Sequence, residues 1–143
     1  MLDDSGTFAG GAAKEIQEET GLVIPQNELI DMTALALHSL EEDPNLRQSP
    51  NIRQIGKKEM LQKGVYTSPG GSDEFIPLFL CQKRMRRNEI DDLQGRLTGL
   101  REEQEKITLK LVPLEHLWKE SVRDGKSLAA WALYQGLKKE GKL

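Results

Sequence analysis

Lys14-Glu15-Ile16-Gln17-Glu18-Glu19-Thr20-Gly21-Leu22 places three carboxylates within five residues, directly ahead of a glycine. Glu15 and Glu19 are four apart and Glu18 is three from Glu15, so on a helix all three project towards one region. Phe8, Ala12 and Ile16 also recur every four residues, which gives the same segment one narrow apolar stripe, with Ala13 beside it. The spacing predicts a helix over about Phe8–Thr20, with Gly21 as its C-terminal cap. Neighbouring like charges repel, so the crowding needs a reason. An exposed acidic face, partly offset by Lys14, is the bland one. A hard divalent cation is the other: Mg2+, with Mn2+ as the substitute, takes oxygen ligands and shares them with water and phosphates.

Working outward, Leu22-Val23-Ile24 reads as a short strand closed by Pro25, and Met32–Leu37 as a second strand. The stretch 38–63 is polar, carries Pro44 and Pro50, and reads as an inserted loop with a helical turn near Lys57–Gln62. Tyr66–Gly71 predicts a tight turn leading into a strand over Glu74–Gln82, made irregular by Pro77. Lys83–Arg87 is a basic run without interleaved aromatics, which favours a solvated loop over a nucleic-acid site. Arg96–Glu105 reads as a polar loop and Ile107–Val112 as an alternating strand ended by Pro113. Helices follow over Leu114–Arg123 and Ser127–Lys139, the second with Ser127 as N-cap. Leu128, Trp131, Ala132 and Tyr134 or Gln135 are its core candidates. Alternating strands and helices predict a mixed α/β class.

The chain has 143 residues, 37% of them hydrophobic, which suits one domain with a modest core. A net charge of -3 gives no general attraction to nucleic acid or anionic membranes. Cys81 is the one cysteine, which excludes an internal disulfide and a cysteine-built zinc centre. No apolar run reaches transmembrane length and no signal core is visible, so the expectation is a soluble, intracellular protein.

The string from Lys14 to Leu22 resembles the second half of the Nudix box, R-E-U-x-E-E-x-G-U with U apolar. Six of the seven specified positions agree, Lys14 standing for Arg. The first half of the box, G-x5-E-x7, is not reproduced: its acid falls on Gly6 and its glycine one position before Met1. Thr67–Glu74 is similar to the S-P-G-G-x-x-E segment of ADP-sugar and ADP-ribose diphosphatases. Leu93–Ile107 and the Leu117-Trp118 and Ala132–Tyr134 patterns are similar to plant-type ADP-sugar diphosphatases. The resemblance runs along nearly the whole chain outside the insertion 38–63.

The resemblance implies an α/β/α Nudix sandwich, incomplete at its N-terminus, that hydrolyses ADP-sugars such as ADP-ribose and ADP-glucose with Mg2+ or Mn2+. By position, Glu15 and Glu19 would be metal ligands, with Glu18 a third ligand or a partner one step removed. Lys14 would orient a carboxylate, and Gly21 supports the motif. Glu103, with Glu105 as the neighbouring alternative, would be the general base on a late loop. Glu74, Gly70 and Gly71 would meet the substrate. A homodimer is expected for the complete protein, and a cytoplasmic or plastid location. Early strands and the base pocket are expected to precede Met1, so the chain alone should be nearly inactive and only marginally stable. The competing expectation is a non-catalytic Nudix-type domain serving as a binding or interaction module.

Overall fold

The computed structural model describes residues 6–44, 61–100 and 104–143. They form two compact units, one of Met1–Ile30 with Phe79–Glu120, the other of Asp31–Leu78 with Ser121–Leu143.

The first unit is organised round helix α1, Phe8–Thr20. Thr7 caps its start by accepting the Gly10 N–H at 3.0 Å. Gly21 ends it in the left-handed region (φ 73°), where its N–H reaches the Gln17 carbonyl at 2.8 Å. Both bounds agree with the apolar and glycine spacing. Leu22–Ile24 is not a strand. It is an irregular connection whose Ile24 is buried (5% exposed), followed by a 3-10 turn, Gln26–Glu28, and strand β1, Leu29–Asp31. Pro25 sets up that turn by accepting the Glu28 N–H. β1 pairs with strand β4, Phe79–Cys81. The basic run is irregular until helix α3, Arg87–Leu93, where Glu89 accepts the Arg86 N–H at 2.7 Å and Leu93 is buried.

Beyond α3, strands β5, Leu97–Thr98, and β6, Ile107–Thr108, make an antiparallel hairpin in the register Leu97↔Thr108 and Thr98↔Ile107. Its ladder is extended by hydrogen bonds from Gly95 to Leu109 and from Leu109 back to Arg96, both 2.9 Å. A strand therefore lies inside the segment read as a polar loop, and the Ile107–Val112 strand is shorter than its alternation predicts. After Pro113 come a 3-10 turn, Leu114–His116, and helix α4, Leu117–Glu120.

The second unit departs most from the pattern reading. Met32–Leu37 is not a strand; it opens helix α2, Met32–Glu42. The alternation of Met, Ala and Leu is only of size, and all three are strong helix formers. Asp31 supplies the cap, its carboxylate accepting the Ala34 N–H at 2.8 Å. α2 packs along helix α5, Gly125–Lys139, whose Leu137 is 3% exposed. Ser39 donates to Glu140, and Lys142 meets Glu42 at 3.3 Å. The cap of α5 is Asp124 rather than Ser127: the Asp124 carboxylate accepts the Lys126 N–H at 3.1 Å and the Ser127 hydroxyl. Of the expected α5 core residues, Ala132 and Gln135 are exposed, and Trp131 stacks on Tyr134 with ring centres 6.1 Å apart.

Strands β2, Val65–Tyr66, and β3, Phe75–Ile76, pair antiparallel in the same unit. Pro69–Gly71 lies in the tight turn between them, closed by the Gly71 and Ser72 N–H groups on the Ser68 carbonyl at 2.9 Å. The expected Glu74–Gln82 strand is split at Pro77 and Leu78. Leu78 leaves the ladder because its N–H donates to the Thr33 hydroxyl and its carbonyl accepts from Met32, both at 2.9 Å. The helical turn expected near Lys57–Gln62 lies mostly outside the described residues; Leu61 and Gln62 are irregular. The described elements show a mixed α/β class, with the strands in three two-stranded sheets.

Candidate functional site

The carboxylate helix ends against the β5–β6 hairpin. Four carbonyls at the end of an α-helix have no partner within it. In α1, Gly21 N–H takes Gln17, and the Thr20 hydroxyl turns back on Ile16 at 2.5 Å. The carbonyls of Glu18 and Glu19 are met from far along the chain: Gly99 N–H donates to Glu18 at 3.3 Å, and the Thr98 hydroxyl donates to Glu19. The hairpin thus finishes the helix at the two residues that carry its last carboxylates.

The same hairpin carries Glu105. Its N–H donates to the Leu100 carbonyl at 3.1 Å, and its carboxylate accepts the Leu100 N–H at 3.3 Å. Gln104, just before it, has φ 62°, in the left-handed region that non-glycine residues rarely occupy. Gly99 has φ 89°, and a Cβ there would stand 2.9 Å from the Glu105 carbonyl oxygen. A side chain at 99 would collide with the loop that holds Glu105.

Lys14 reaches Glu18, with Nζ 3.9 Å from Oε1. The Glu19 carboxyl is raised above its ordinary value, first by burial, then by the negative charges of Glu15 and Glu105. The repulsion foreseen from the spacing is therefore present at Glu19, and Glu105 adds to it from the hairpin. Glu15, Glu19 and Glu105 share one electrostatic neighbourhood. Glu103, expected as the base, lies outside the described residues.

Gly70, Gly71 and Glu74 belong to the second unit. The Glu74 carboxylate accepts the Thr67 hydroxyl at 2.9 Å and lines a cavity of about 300 Å³ with Tyr66, Ile76, Leu78 and Lys126. The turn glycines do not line it.

Among the described residues, no three His, Cys, Asp or Glu side chains close round one point at metal-ligand spacing. The donor set at the end of α1 is nonetheless all carboxylate, and the mutual repulsion at Glu19 is what a divalent cation offsets. Such residues fit Mg2+ or Mn2+ held jointly with water and phosphate oxygens, rather than in an all-protein cage. Sequence reasoning gave no role to Thr98 and Gly99. A Thr-Gly pair just ahead of an acidic loop was visible, but a bond to a helix end 79 residues earlier was not.

The described geometry thus brings Glu15, Glu19 and Glu105 into one electrostatic neighbourhood at the C-terminal end of an acidic helix. Over 139 residues, 97% of its length, the chain is 34% identical to Nudix hydrolase 14, chloroplastic, of Arabidopsis thaliana. The relative carries the name of the Nudix superfamily, whose box the motif of α1 resembles. The chain spans 38% of that relative's length. No protein-family model and no solved structure matches the chain.

Proposed function

We propose that the chain carries the catalytic helix of a Nudix-type hydrolase that splits the pyrophosphate of an ADP-sugar, ADP-ribose or ADP-glucose, into AMP and a sugar phosphate. The observation that carries this reading is Glu19, an exposed residue at the end of α1 whose carboxyl is raised by partial desolvation and by the negative charges of Glu15 and Glu105. The relative's name supports a Nudix hydrolase, and the resemblance of Ser68–Glu74 to the S-P-G-G-x-x-E segment supports the ADP-sugar.

Mg2+, when bound, supplies neutralisation of phosphate charge and a more acidic water. Glu15 and Glu19 would hold it, with Glu18 as a third ligand or as the carboxylate that Lys14 steadies. Glu105, or Glu103 two residues earlier, would accept the proton of the attacking water as general base. The Glu105 carboxylate accepts the Leu100 N–H at 3.3 Å, which limits its directions. In the other unit, Glu74 would accept hydrogen bonds from substrate hydroxyls as it accepts that of Thr67, and Gly70 and Gly71 would offer backbone close to the ligand. A homodimer, and a cytoplasmic or plastid location, complete the proposal. No described helix is long and apolar enough to cross a membrane.

A second reading is favoured by two observations: Gly6 stands where the box has an acid, and the described carboxylates do not close round an ion by themselves. It is a non-catalytic Nudix-type binding module. AMP release from ADP-ribose and ADP-glucose, with and without Mg2+, separates the two for this chain and for an N-terminally extended version. Mg2+-dependent release, lowered at least about 100-fold by Glu19→Gln, supports the hydrolase. Saturable ADP-ribose binding with no AMP from either version supports the module.

A further inference from the structure

We infer that Thr98 and Gly99 are positioning residues, a two-residue clamp that sets the spacing between the carboxylates of α1 and the carboxylate of Glu105. The inference rests on the metal-hydrolase reading only in assigning the α1 carboxylates to a cation and Glu105 to the water beside it.

Three contacts converge on this dipeptide. The Thr98 hydroxyl donates to the Glu19 carbonyl, and the Gly99 N–H donates to the Glu18 carbonyl at 3.3 Å. Those two bonds fix the backbone of the last turn of α1, and with it the directions in which Glu18 and Glu19 leave the helix. The third contact is the close approach of Gly99 to the Glu105 backbone, where a Cβ would come within 2.9 Å of the carbonyl oxygen. Residue 99 therefore touches both carboxylate-bearing segments at once, and only a glycine fits between them at φ 89°.

Only the last four carbonyls of α1 lack a partner within the helix, and Gly21 already takes that of Gln17. Of those left, the hairpin bonds the carbonyls of the two consecutive glutamates of the motif. Hydrogen-bonded supports one step removed from metal ligands are worth about 10–100-fold in metal affinity. Thr98 and Gly99 occupy that position by way of the backbone. The hydroxyl is the operative group at 98, so serine should replace threonine and valine should not.

The test is a Mn2+ titration of the full chain followed by electron paramagnetic resonance, beside thermal melting, for Thr98→Val, Thr98→Ser and Gly99→Ala. Leu97→Thr, on the same strand and 65% exposed, is the control for loosening of the hairpin. Thr98→Val is expected to weaken Mn2+ binding about tenfold, with Thr98→Ser within about twofold of the original chain. Gly99→Ala should weaken it further, and Leu97→Thr should leave it unchanged. If Gly99→Ala does not fold, the contrast between valine and serine at 98 decides alone. Mn2+ affinity that is equal in Thr98→Val and the original chain, that follows melting temperature across all variants, or that is absent altogether overturns the clamp. Thr98-dependent Mn2+ binding without AMP release would sustain the clamp and refute the hydrolase. AMP release with KM and kcat indifferent to Thr98→Val would do the reverse.

Discussion

Glu19 is an exposed residue, yet its carboxylate is held in a less comfortable state than that of an isolated glutamate. Its carboxyl is raised above the ordinary carboxylate value, first by partial desolvation, then by the charges of Glu15 and Glu105. For an acid raised by folding, the folded chain binds more protons than the unfolded one across that interval, so stability falls as pH rises through it. The penalty is absent below the unfolded value and complete above the folded one. Glu19→Gln should therefore melt higher than the original chain at pH 7, and the difference should vanish near pH 4. A like-charge pair four apart on a helix is worth about 0.2–0.5 kcal/mol, which sets the expected size. Thermal unfolding at the two pH values reads it. An equal or lower melting temperature for the variant at pH 7 would remove the repulsion from the account. Gain of stability with loss of turnover is the signature of a residue kept for function.

Gly21 permits a second residue-scale forecast. A Cβ there would meet Arg96 Nη1 only at 3.6 Å, an ordinary contact, so space is not the difficulty. The left-handed backbone is, and Gly21→Ala should cost about 1 kcal/mol, with Gly21→Asn costing less. Denaturant unfolding of both variants would show it, and equal losses would mean that the cap geometry is not what glycine supplies.

Among the elements, α1 was legible to the residue because three signals coincide: a four-residue apolar period, polar positions between, and a glycine stop. α2 was not. Met32–Leu37 alternates in size, and the sequence offers no sign that Thr33 will hold the Leu78 N–H at 2.9 Å while Asp31 caps the helix. The readable clue was Asp31 before a Met-Thr-Ala-Leu run. Asp31→Ala should cost about 1 kcal/mol if that cap governs the start of α2. Leu137→Ala, on α5 and 3% exposed, should cost about 2–4 kcal/mol through lost burial and the void left behind. Urea titrations of the two variants rank them, and a larger loss at Asp31 would show that capping outweighs packing in this unit. The hairpin was half legible: Ile107-Thr108 was seen as strand, but its partner Leu97-Thr98 was hidden by the polar residues around it. Those polar residues include Gln104 and Glu105, which lie in the loop the hairpin closes.

For the whole molecule, the sequence showed a mixed α/β class and the acidic helix, yet not the division into two compact units. Each unit is discontinuous: the chain passes between them at Ile30–Asp31, Leu78–Phe79 and Glu120–Ser121. Local patterns of seven to eleven residues contain no trace of that. Large apolar side chains stay open in the first unit, with Val23 66%, Leu97 65% and Trp118 47% exposed. Surfaces of this kind favour association. Sedimentation velocity of the chain should show a concentration-dependent dimer, and Leu97→Thr should weaken it. A monomer at all concentrations would leave the homodimer without support.

The bond from Thr98 to Glu19 also has a tempo. A ribosome adds about 5–20 residues per second, so the 79 residues between them take about 4–16 seconds to appear. Throughout that interval the acidic helix has been made but its final carbonyls have no partner from the hairpin. During synthesis, the last turn of α1 is exposed to fraying until the chain has passed Gly99. A nascent chain stalled before that point would hold its motif glutamates on an unfinished helix, unable to present them together.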